Sequence, residues 1–192
     1  MIYFTSDIHF GHANILHKFQ PNRKELGTNI DEMNDEIVRR WNATVGPHDE
    51  VYNLGDLAFY KHPENVLPLL RRLNGRKYFI FGNHDQVVQK NREAFKEVFV
   101  WMKDYYELRH DGEFVVMSHF PMAIWNRMHH GAWHLHGHCH GSYVEPHGNR
   151  IVDVGLDSPH VTGRFDMRPY SFDEIRAYMR TKSFKSLDGH GG

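Results

Sequence analysis

The sequence predicts an α/β fold with mixed, partly parallel β-sheets, and three observations indicate it. In the first half of the 192-residue chain, short β-prone runs alternate with amphipathic segments, which implies a parallel sheet sandwiched by helices. The second half has closely spaced strand-like runs, two of them flanking Asp111-Gly112, a strong signal for a type I′ hairpin. Polar and glycine-containing segments follow the strand-like runs, as expected where ligands bind at the carboxyl ends of strands.

Three buried strands are predicted in the first half, because three short runs are apolar and β-prone. These runs are residues 2–6, 50–54 and 77–81. The stretch 11–26, which follows the first strand, is polar and mixed and contains Pro21. We expect a loop there, with at most a short helix.

Capping residues and apolar stripes predict the helices of the first half. Asn29 and Glu32 have the spacing of a capping box, and an apolar stripe follows them. Pro63 suits the first turn of a second helix, whereas Pro68 fits only if that helix starts later. A third helix is expected over 86–98.

The second half is predicted to contain four strands and a terminal helix. The strands are residues 105–110, 113–118, 133–135 and 150–154. Ser171 is expected to cap the helix, with Glu174 at the capping-box position. Since no linker or repeat interrupts the chain, we expect one domain over 1–181 and a frayed tail over 182–192.

Bulk composition limits the classes of partner. The net charge of −1 argues against a surface that coats nucleic acid, but a nucleotide or nucleic-acid end remains a possible substrate because bound metals would supply positive charge. Cys139 is the only cysteine, so no intrachain disulfide can form and a reducing, cytoplasmic location is expected. No apolar run approaches the roughly 18 residues that cross a bilayer, and no obligate protein partner is evident.

Five segments place metal-ligating side chains where a predicted strand runs into a loop. They are Asp7-Ile8-His9, Gly55-Asp56, Gly82-Asn83-His84-Asp85, Ser118-His119-Phe120-Pro121 and Gly137-His138-Cys139-His140. Together they hold enough oxygen and nitrogen donors for two metal ions, and paired metals are a device for hydrolysing phosphate esters. The 17 histidines of the chain also favour a metal-binding interpretation.

These five segments, in this order, resemble the pattern of the calcineurin-like metallophosphoesterases. The family pattern is Asp-x-His, Gly-Asp, Gly-Asn-His-Asp or -Glu, a histidine after a later strand, and Gly-His-x-His. The opening stretch 7–12 further resembles small bacterial and phage-borne members. The resemblance implies a four-layer α/β/β/α sandwich of metallophosphoesterase type. It also implies a metal-dependent phosphohydrolase that works by in-line attack of a metal-bridging hydroxide.

The resemblance implies two metal sites that share one carboxylate. One ion would be held by Asp7, His9 and His140, the other by Asn83, His119 and His138, and Asp56 would bridge them. Two divalent transition-metal ions suit these mixed nitrogen and oxygen ligands better than Ca²⁺ or Mg²⁺. Mn²⁺ is the favoured ion, and Fe, Zn²⁺ and Ni²⁺ are compatible with the same ligands.

The resemblance also implies that His84 is the general acid or transition-state stabiliser. Asp85 would hold the other nitrogen of its ring and fix the tautomer. Further candidates for substrate contact are weaker, because ordinary capping or solvated roles suit them as well. These candidates are His12, Asn14, Arg127, His160 and Arg164. The stretch 157–166 is expected to close over one side of the site.

The chemistry alone does not choose the substrate, so several functions stay open. A phosphodiesterase is slightly favoured, since the chain resembles small bacterial members and has no evident docking segment. A phosphomonoesterase, or phosphatase, is the alternative within the same chemistry. A non-catalytic scaffold of the same fold is a further alternative, but such a protein should lack ligands, and here His84 and every ligand position are intact.

Overall fold

The computed structural model describes residues 1–185 and residue 187, and two β-sheets form its centre. The first sheet has the strand order β4-β3-β2-β1-β9, and the second has the order β5-β6-β7-β8 when strands are numbered along the chain. The strands are β1 (Ile2–Thr5), β2 (Glu50–Asn53), β3 (Arg76–Ile80), β4 (Phe99–Lys103), β5 (Tyr105–His110), β6 (Glu113–Ser118), β7 (Trp133–His136), β8 (Ile151–Asp153) and β9 (Tyr170–Ser171).

Five α-helices are present within the described residues. They are α1 (Ile30–Thr44), α2 (Leu67–Arg72), α3 (Gln86–Lys90), α4 (Arg92–Phe95) and α5 (Phe172–Arg180). Shorter helical turns are the π-helical segment Ile15–Phe19 and the 3₁₀ segments Pro21–Leu26, Pro63–Asn65 and Met128–His130. None of the helices in the described part of the chain is long and apolar enough to cross a membrane.

The first sheet confirms the parallel arrangement predicted from the alternating strands and helices. Strands β1 to β4 are parallel to one another, and only the short β9 runs antiparallel, against β1. The prediction of one helix over 86–98 is wrong, because Asn91 leaves the helical conformation and separates α3 from α4. The prediction also missed β4, although four of its five residues are apolar; in this edge strand only Phe99 is buried.

Helix starts follow the capping chemistry that the sequence indicated. Asn29 accepts the backbone N–H of Glu32 at 3.0 Å, but the Glu32 carboxylate turns to the backbone N–H of Thr28, so only half of the expected box forms. The box of Ser171 and Glu174 is complete. Pro63 begins a 3₁₀ turn, and α2 starts only at Leu67, which places Pro68 in its first turn as the proline required.

The second sheet begins with the predicted hairpin. Asp111 and Gly112 both have positive φ, 46° and 81°, as a type I′ turn requires. Strands β6, β7 and β8 are then parallel, so their carboxyl ends lie along one edge. An isolated parallel bridge between Ser6 and Gly155 joins this edge to the end of β1.

Three apolar clusters define the layers. The largest lies between the first sheet and helices α1 to α4. The second lies between the two sheets, where Phe4 and Tyr52 pack with Met117 and Leu135, and it includes the buried side of α5. The third covers the outer face of the second sheet with a short segment around Trp125 rather than a long helix. The predicted α/β class with mixed sheets is confirmed. The layer outside the second sheet is thinner than a layer of long helices.

The predicted tail, 182–192, falls partly outside the described residues. Within the described part, the Phe184 ring lies 4.9 Å from the Arg150 guanidinium, and the Lys185 N–H donates to the Asn149 side chain at 2.7 Å. The single domain over 1–181 stays a prediction.

Candidate metal centre

Strand ends from both sheets converge on one edge and bring the predicted ligands together. The backbone N–H groups of Asp7 and His9 donate to the carbonyls of Gly55 and Asp56 at 2.9 and 3.0 Å, which extends the β1–β2 pairing into the loops. In the second sheet, the N–H of Gly137 donates to the carbonyl of His119 at 3.0 Å. Four ligand-bearing loops are thus joined in two pairs, one in each sheet, by backbone hydrogen bonds.

Asp7, His9 and His140 form one group of donors. Their ligating atoms all lie within 4.8 Å of one another. Nε2 of His9 and Nε2 of His140 are each 3.8 Å from Oδ1 of Asp7, and the two imidazole rings stack with centroids 5.2 Å apart. Asp7 and His9 are buried, while His140 is half-buried and gives access from solvent.

Asp56, His119 and His138 form a second group, which also lies within 4.8 Å. The Asn83 side-chain oxygen is 3.0 Å from Nε2 of His119 and 2.9 Å from Nδ1 of His138, so the predicted amide ligand belongs to this group. His138 and Asn83 are exposed, whereas His119 is buried. The division into two groups matches the one implied by the family pattern.

Asp56 lies between the two groups, where the bridging carboxylate was expected. Its Oδ2 is 3.8 Å from Nε2 of His9 in one group and 3.5 Å from Nε2 of His119 in the other. Its Oδ1 accepts the backbone N–H of His84 at 2.9 Å, which fixes the carboxylate plane.

Five of the seven predicted ligands have an unusual backbone conformation. Their φ angles lie in the left-handed region, at 55° for Asp7, 53° for His9, 55° for Asp56, 69° for His138 and 48° for His140. Such residues cost of order 1–3 kcal/mol each, and they persist only where the surroundings fix them. Their concentration at one edge indicates a functional site rather than a turn.

Two glycines allow the loops to approach one another. A Cβ atom at Gly137 would lie 2.5 Å from Oδ2 of Asp7, and one at Gly82 would lie 2.6 Å from the backbone nitrogen of Asp56. Both distances are shorter than any real Cβ contact, so no other residue fits at these positions without moving a ligand loop.

Two of the ligand histidines, His9 and His119, have the protonation and orientation that a metal ion needs. Both ring nitrogens of His9 are buried without a hydrogen-bond partner, and burial lowers the pKa of His9 well below its usual value, so the ring is neutral. Burial also lowers the pKa of His119, whose Nδ1–H donates to the carbonyl of Leu54 at 2.8 Å and leaves Nε2 facing Asp56. These donors therefore fit divalent cations.

A fully buried arginine, which sequence reasoning missed, holds the first group in place. The Arg23 guanidinium donates to the backbone carbonyls of Asp7 and Ile8 and pairs with the Asp157 carboxylate, with Nη2 2.8 Å from Oδ2. Asp157 in turn accepts Nδ1–H of His140 at 2.8 Å. Burial raises the pKa of Asp157, but the charge of Arg23 and the hydrogen bonds from His140 and Arg23 together outweigh burial and hold that pKa below its usual value.

Asp85 has a different role from the one expected. It does not hold the His84 ring, because both its oxygens accept backbone N–H groups: Gly82 at 2.6 Å and Asp56 at 2.8 Å on Oδ2, and Leu57 at 2.8 Å on Oδ1. It ties two ligand loops together. Burial raises the pKa of Asp85 to about 6, against the opposing effect of these donors.

His84 is exposed beside the two groups. Its ring centroid lies 5.9 Å from that of His9 and 4.7 Å from that of Phe59. Cys139, which lies between the ligands His138 and His140 in the sequence, is half-buried. Burial raises the pKa of its thiol to about 11, so the thiol is not ionised near neutral pH.

Two of the five candidate substrate residues lie beside the centre. His12 and Asn14 line a cavity of about 430 Å³ together with His9 and His140. Burial, with the charge of Arg23, lowers the pKa of His12 to about 4, so its ring is neutral.

Arg127 lies away from the metal centre, so the structure does not place it where the predicted contact with substrate would be made. It lines a separate cavity with Arg109 and Arg150, and its guanidinium lies 5.5 Å from the Phe114 ring. These residues surround the amino-terminal ends of β6 and β8, at the edge of the sheet opposite the ligands.

His160 and Arg164 also make other contacts. Nε2–H of His160 donates to the carbonyl of Gly141 at 2.8 Å and so supports the loop that carries His140. Arg164 is exposed and pairs with Asp166 at 2.7 Å. The stretch 157–166 nevertheless flanks the site, because Pro159 and Phe165 line a cavity there.

Sequence comparison gives the family of this protein. The model of the calcineurin-like phosphoesterase family matches residues 1–186. The chain therefore belongs to the calcineurin-like phosphoesterases, and the prediction of a metal-dependent phosphohydrolase is confirmed at the level of the family. Membership implies divalent metal ions and a phosphate-ester substrate, and the two groups of donors are candidate sites for those ions.

Relatives occur in archaea, phages and bacteria. An uncharacterized protein of Methanocaldococcus jannaschii is 34% identical over 145 residues, which is 75% of this chain and 72% of that protein. The gene 66 protein of Mycobacterium phage D29 is 30% identical over 91% of this chain and 94% of its own. A protein of unknown function from Aquifex aeolicus has the same fold, with a TM-score of 0.67, 24% identity, and coverage of 92% of this chain and 98% of that one.

Replacing Asp157 by Asn should weaken metal binding and lower stability together. The change leaves Arg23 buried without a counterion, and breaking a buried pair costs about 3–5 kcal/mol. Loss of such an outer ligand contact lowers metal affinity about 10–100-fold. Urea unfolding and calorimetric titration with Mn²⁺ would measure the two effects. Glu97→Gln is the matched control, since it breaks an exposed ion pair with Arg71 and should cost under about 1 kcal/mol. Unchanged Mn²⁺ affinity in Asp157→Asn would contradict the positioning role.

The substitution Asp85→Asn distinguishes between two roles of Asp85: holding the ligand loops together, and orienting the His84 ring. Asn offers one acceptor oxygen in place of two, so at least one of the three backbone N–H bonds is lost, and the loops that carry Asp56 and Asn83 should shift. We expect lower Mn²⁺ affinity as well as a lower rate. Metal affinity equal to that of the unaltered protein, with only the rate reduced, would instead favour an action through His84.

Proposed function

We propose that the protein is a dinuclear metal-dependent phosphodiesterase, and one observation carries the diester preference. Two cavities open beside the metal centre, one next to His84 and the other next to His138, and Gln20 and His140 line both. A phosphodiester has two organic substituents on phosphorus, whereas a monoester has one. A site with two such cavities has room for both substituents.

The two cavities differ in the ligands they contact. The cavity of about 430 Å³ is lined by His9 of the first group and by His84, with Phe59 beside them. The second, of about 600 Å³, is lined by His138 and Cys139 on the other side, with Phe165 at its wall. The substrate phosphorus would lie between them, above the donors.

Two divalent ions, held by the two groups of donors, would supply Lewis acidity and a water of lowered pKa. Asp56, which faces both groups of donors, would contribute to both sites, and the Asn83 amide would orient a non-bridging phosphate oxygen. Hydrolysis would form one P–O bond from water to phosphorus and break the bond to the leaving oxygen. His84 lies on the side of the smaller cavity, and Nε2–H or Nδ1–H of its imidazolium would donate a proton to that oxygen.

The ions proposed are Mn²⁺ first, with Fe, Zn²⁺ or Ni²⁺ as substitutes, because the donors are imidazole nitrogens and oxygens without thiolate. The proposed substrates are nucleotide diesters or nucleic-acid ends. A cytoplasmic location remains part of the proposal, supported by Cys139 being the only cysteine.

Hydrolysis of bis-p-nitrophenyl phosphate against p-nitrophenyl phosphate, with Mn²⁺ restored, tests the reaction class. The two-sided site predicts a higher kcat/KM for the diester. Asp56→Asn should abolish both activities and lower the metal content, because it removes the carboxylate that faces both groups. A preference for the monoester would leave the assignment as a metal-dependent phosphohydrolase intact and overturn the assignment as a phosphodiesterase. Metal-loaded protein that cleaves neither ester would favour a non-catalytic scaffold.

His84→Ala should keep both metals and lose rate. The side chain makes no ligand contact in either group, and general acids typically contribute about 10²–10⁴-fold. The loss should grow as the leaving group becomes poorer, because p-nitrophenolate needs little protonation and an alkoxide needs much. Full activity of the variant on an alkyl diester would show that His84 is not the acid.

A further inference from the structure

Two large aromatic side chains are exposed beside the metal centre. The Phe59 side chain is 40% exposed and that of Phe19 is 55% exposed, and both line the cavity that contains His9 and His84. Scattered exposed apolar residues are normal, but these two lie in one cavity that also contains the metal ligands. The lining of that cavity calls for an occupant with an apolar face.

Three aromatic rings in this cavity adjoin one another, and we call them the platform. The His12 ring stacks on Phe59 with centroids 3.6 Å apart and planes within 4°, and the Phe19 ring, tilted by 47°, lies with its centroid 6.2 Å from that of His12. Phe59 also lies 4.7 Å from His84 and 5.6 Å from His9. A group that leaves phosphorus past His84 therefore meets Phe59 directly.

We infer that Phe59, His12 and Phe19 form a stacking subsite for a nucleobase in the leaving group of the substrate. This inference rests on the proposed phosphodiesterase function and names its substrate class. Aromatic side chains bind bases of any sequence, because every base has a π-face.

The polar groups around the platform favour a nucleobase over a plain hydrocarbon. Nδ1 of His12 is buried without a hydrogen-bond partner, and Asn14 and Gln20 line the same cavity with amide groups that donate and accept. These groups match the edge of a base, which an alkyl chain lacks.

The cleft continues beyond Phe59 toward positive charge. A neighbouring cavity of about 400 Å³ shares Phe59 and His84 with the first and is also lined by Lys61 and Lys90. Two lysines in the cavity next to the proposed base site suit a further phosphate of a nucleic-acid strand. The leaving side of the site therefore fits a nucleotide or a short strand rather than an isolated aryl group.

A dinucleotide with and without one base tests the subsite. The substrates are thymidylyl-thymidine and the same dinucleotide with an abasic leaving nucleoside, so the leaving alcohol is chemically the same. We expect kcat/KM about tenfold higher for the intact dinucleotide. Phe59→Leu should remove that difference between the two dinucleotides. Phe184→Leu is the matched control, because Phe184 is 41% exposed and lies against Arg150 at the far edge.

Binding without turnover gives a second readout. Saturation-transfer NMR with adenosine, on protein with no added metal, should show transfer to the base protons in the unaltered protein and in Phe184→Leu but not in Phe59→Leu. Circular dichroism would verify that the variants fold. Equal rates for the two dinucleotides would overturn the stacking subsite and leave the phosphodiesterase proposal intact. Cleavage of bis-p-nitrophenyl phosphate without cleavage of either dinucleotide would do the same. If no ester is cleaved, the proposed function fails. In that case, absence of saturation transfer to adenosine would independently overturn the platform as a base-binding site.

Discussion

Burial of negative charge is the constraint on which the site depends. Five aspartates are buried at the edge where the two sheets meet: Asp7, Asp56, Asp85, Asp153 and Asp157. A buried carboxylate is costly unless hydrogen bonds or opposite charge stabilise it. Backbone N–H groups satisfy Asp85 and Asp153, and Arg23 pairs with Asp157, while oxygens of Asp7 and Asp56 face the imidazoles of the two groups of donors. Bound cations would complete this balance of charge, so the fold and the metal sites depend on the same buried carboxylates.

The same constraint explains why the ligand loops adopt a strained backbone. Side chains from both sheets must point into a volume only a few ångströms wide, and ordinary extended backbone would direct alternate residues away from it. Left-handed φ angles turn Asp7, His9 and Asp56 inward. Glycine at 82 and 137 then lets the loops touch. Hydrogen bonds accepted by Asp85 and donated by Arg23, two residues outside the groups of ligands, stabilise this strained backbone.

Short sequence patterns predicted much of the fold and of the metal centre. The features that they did not predict depend on contacts between residues far apart in the sequence. The Asp111-Gly112 hairpin, the Ser171 cap and the parallel first sheet follow from short patterns, and so do the segments that carry the ligands. Arg23 was missed because a buried arginine in a polar stretch looks like a solvated one, and its partner Asp157 lies 134 residues away in sequence. Arg127 was misplaced because proximity in sequence to a ligand segment does not specify which edge of a sheet a loop occupies.

The site joins distant parts of the chain, and this has a consequence for the timing of activity. The Asp7 carboxylate accepts the backbone N–H of His138, 131 residues further along. Neither half of the chain alone contains a complete group of donors, since the first group needs His140 and the second needs His119 and His138. During synthesis, a chain that has not yet released its last third from the ribosome has no assembled centre. The centre therefore forms only after the segment that carries His138 and His140 has joined the fold.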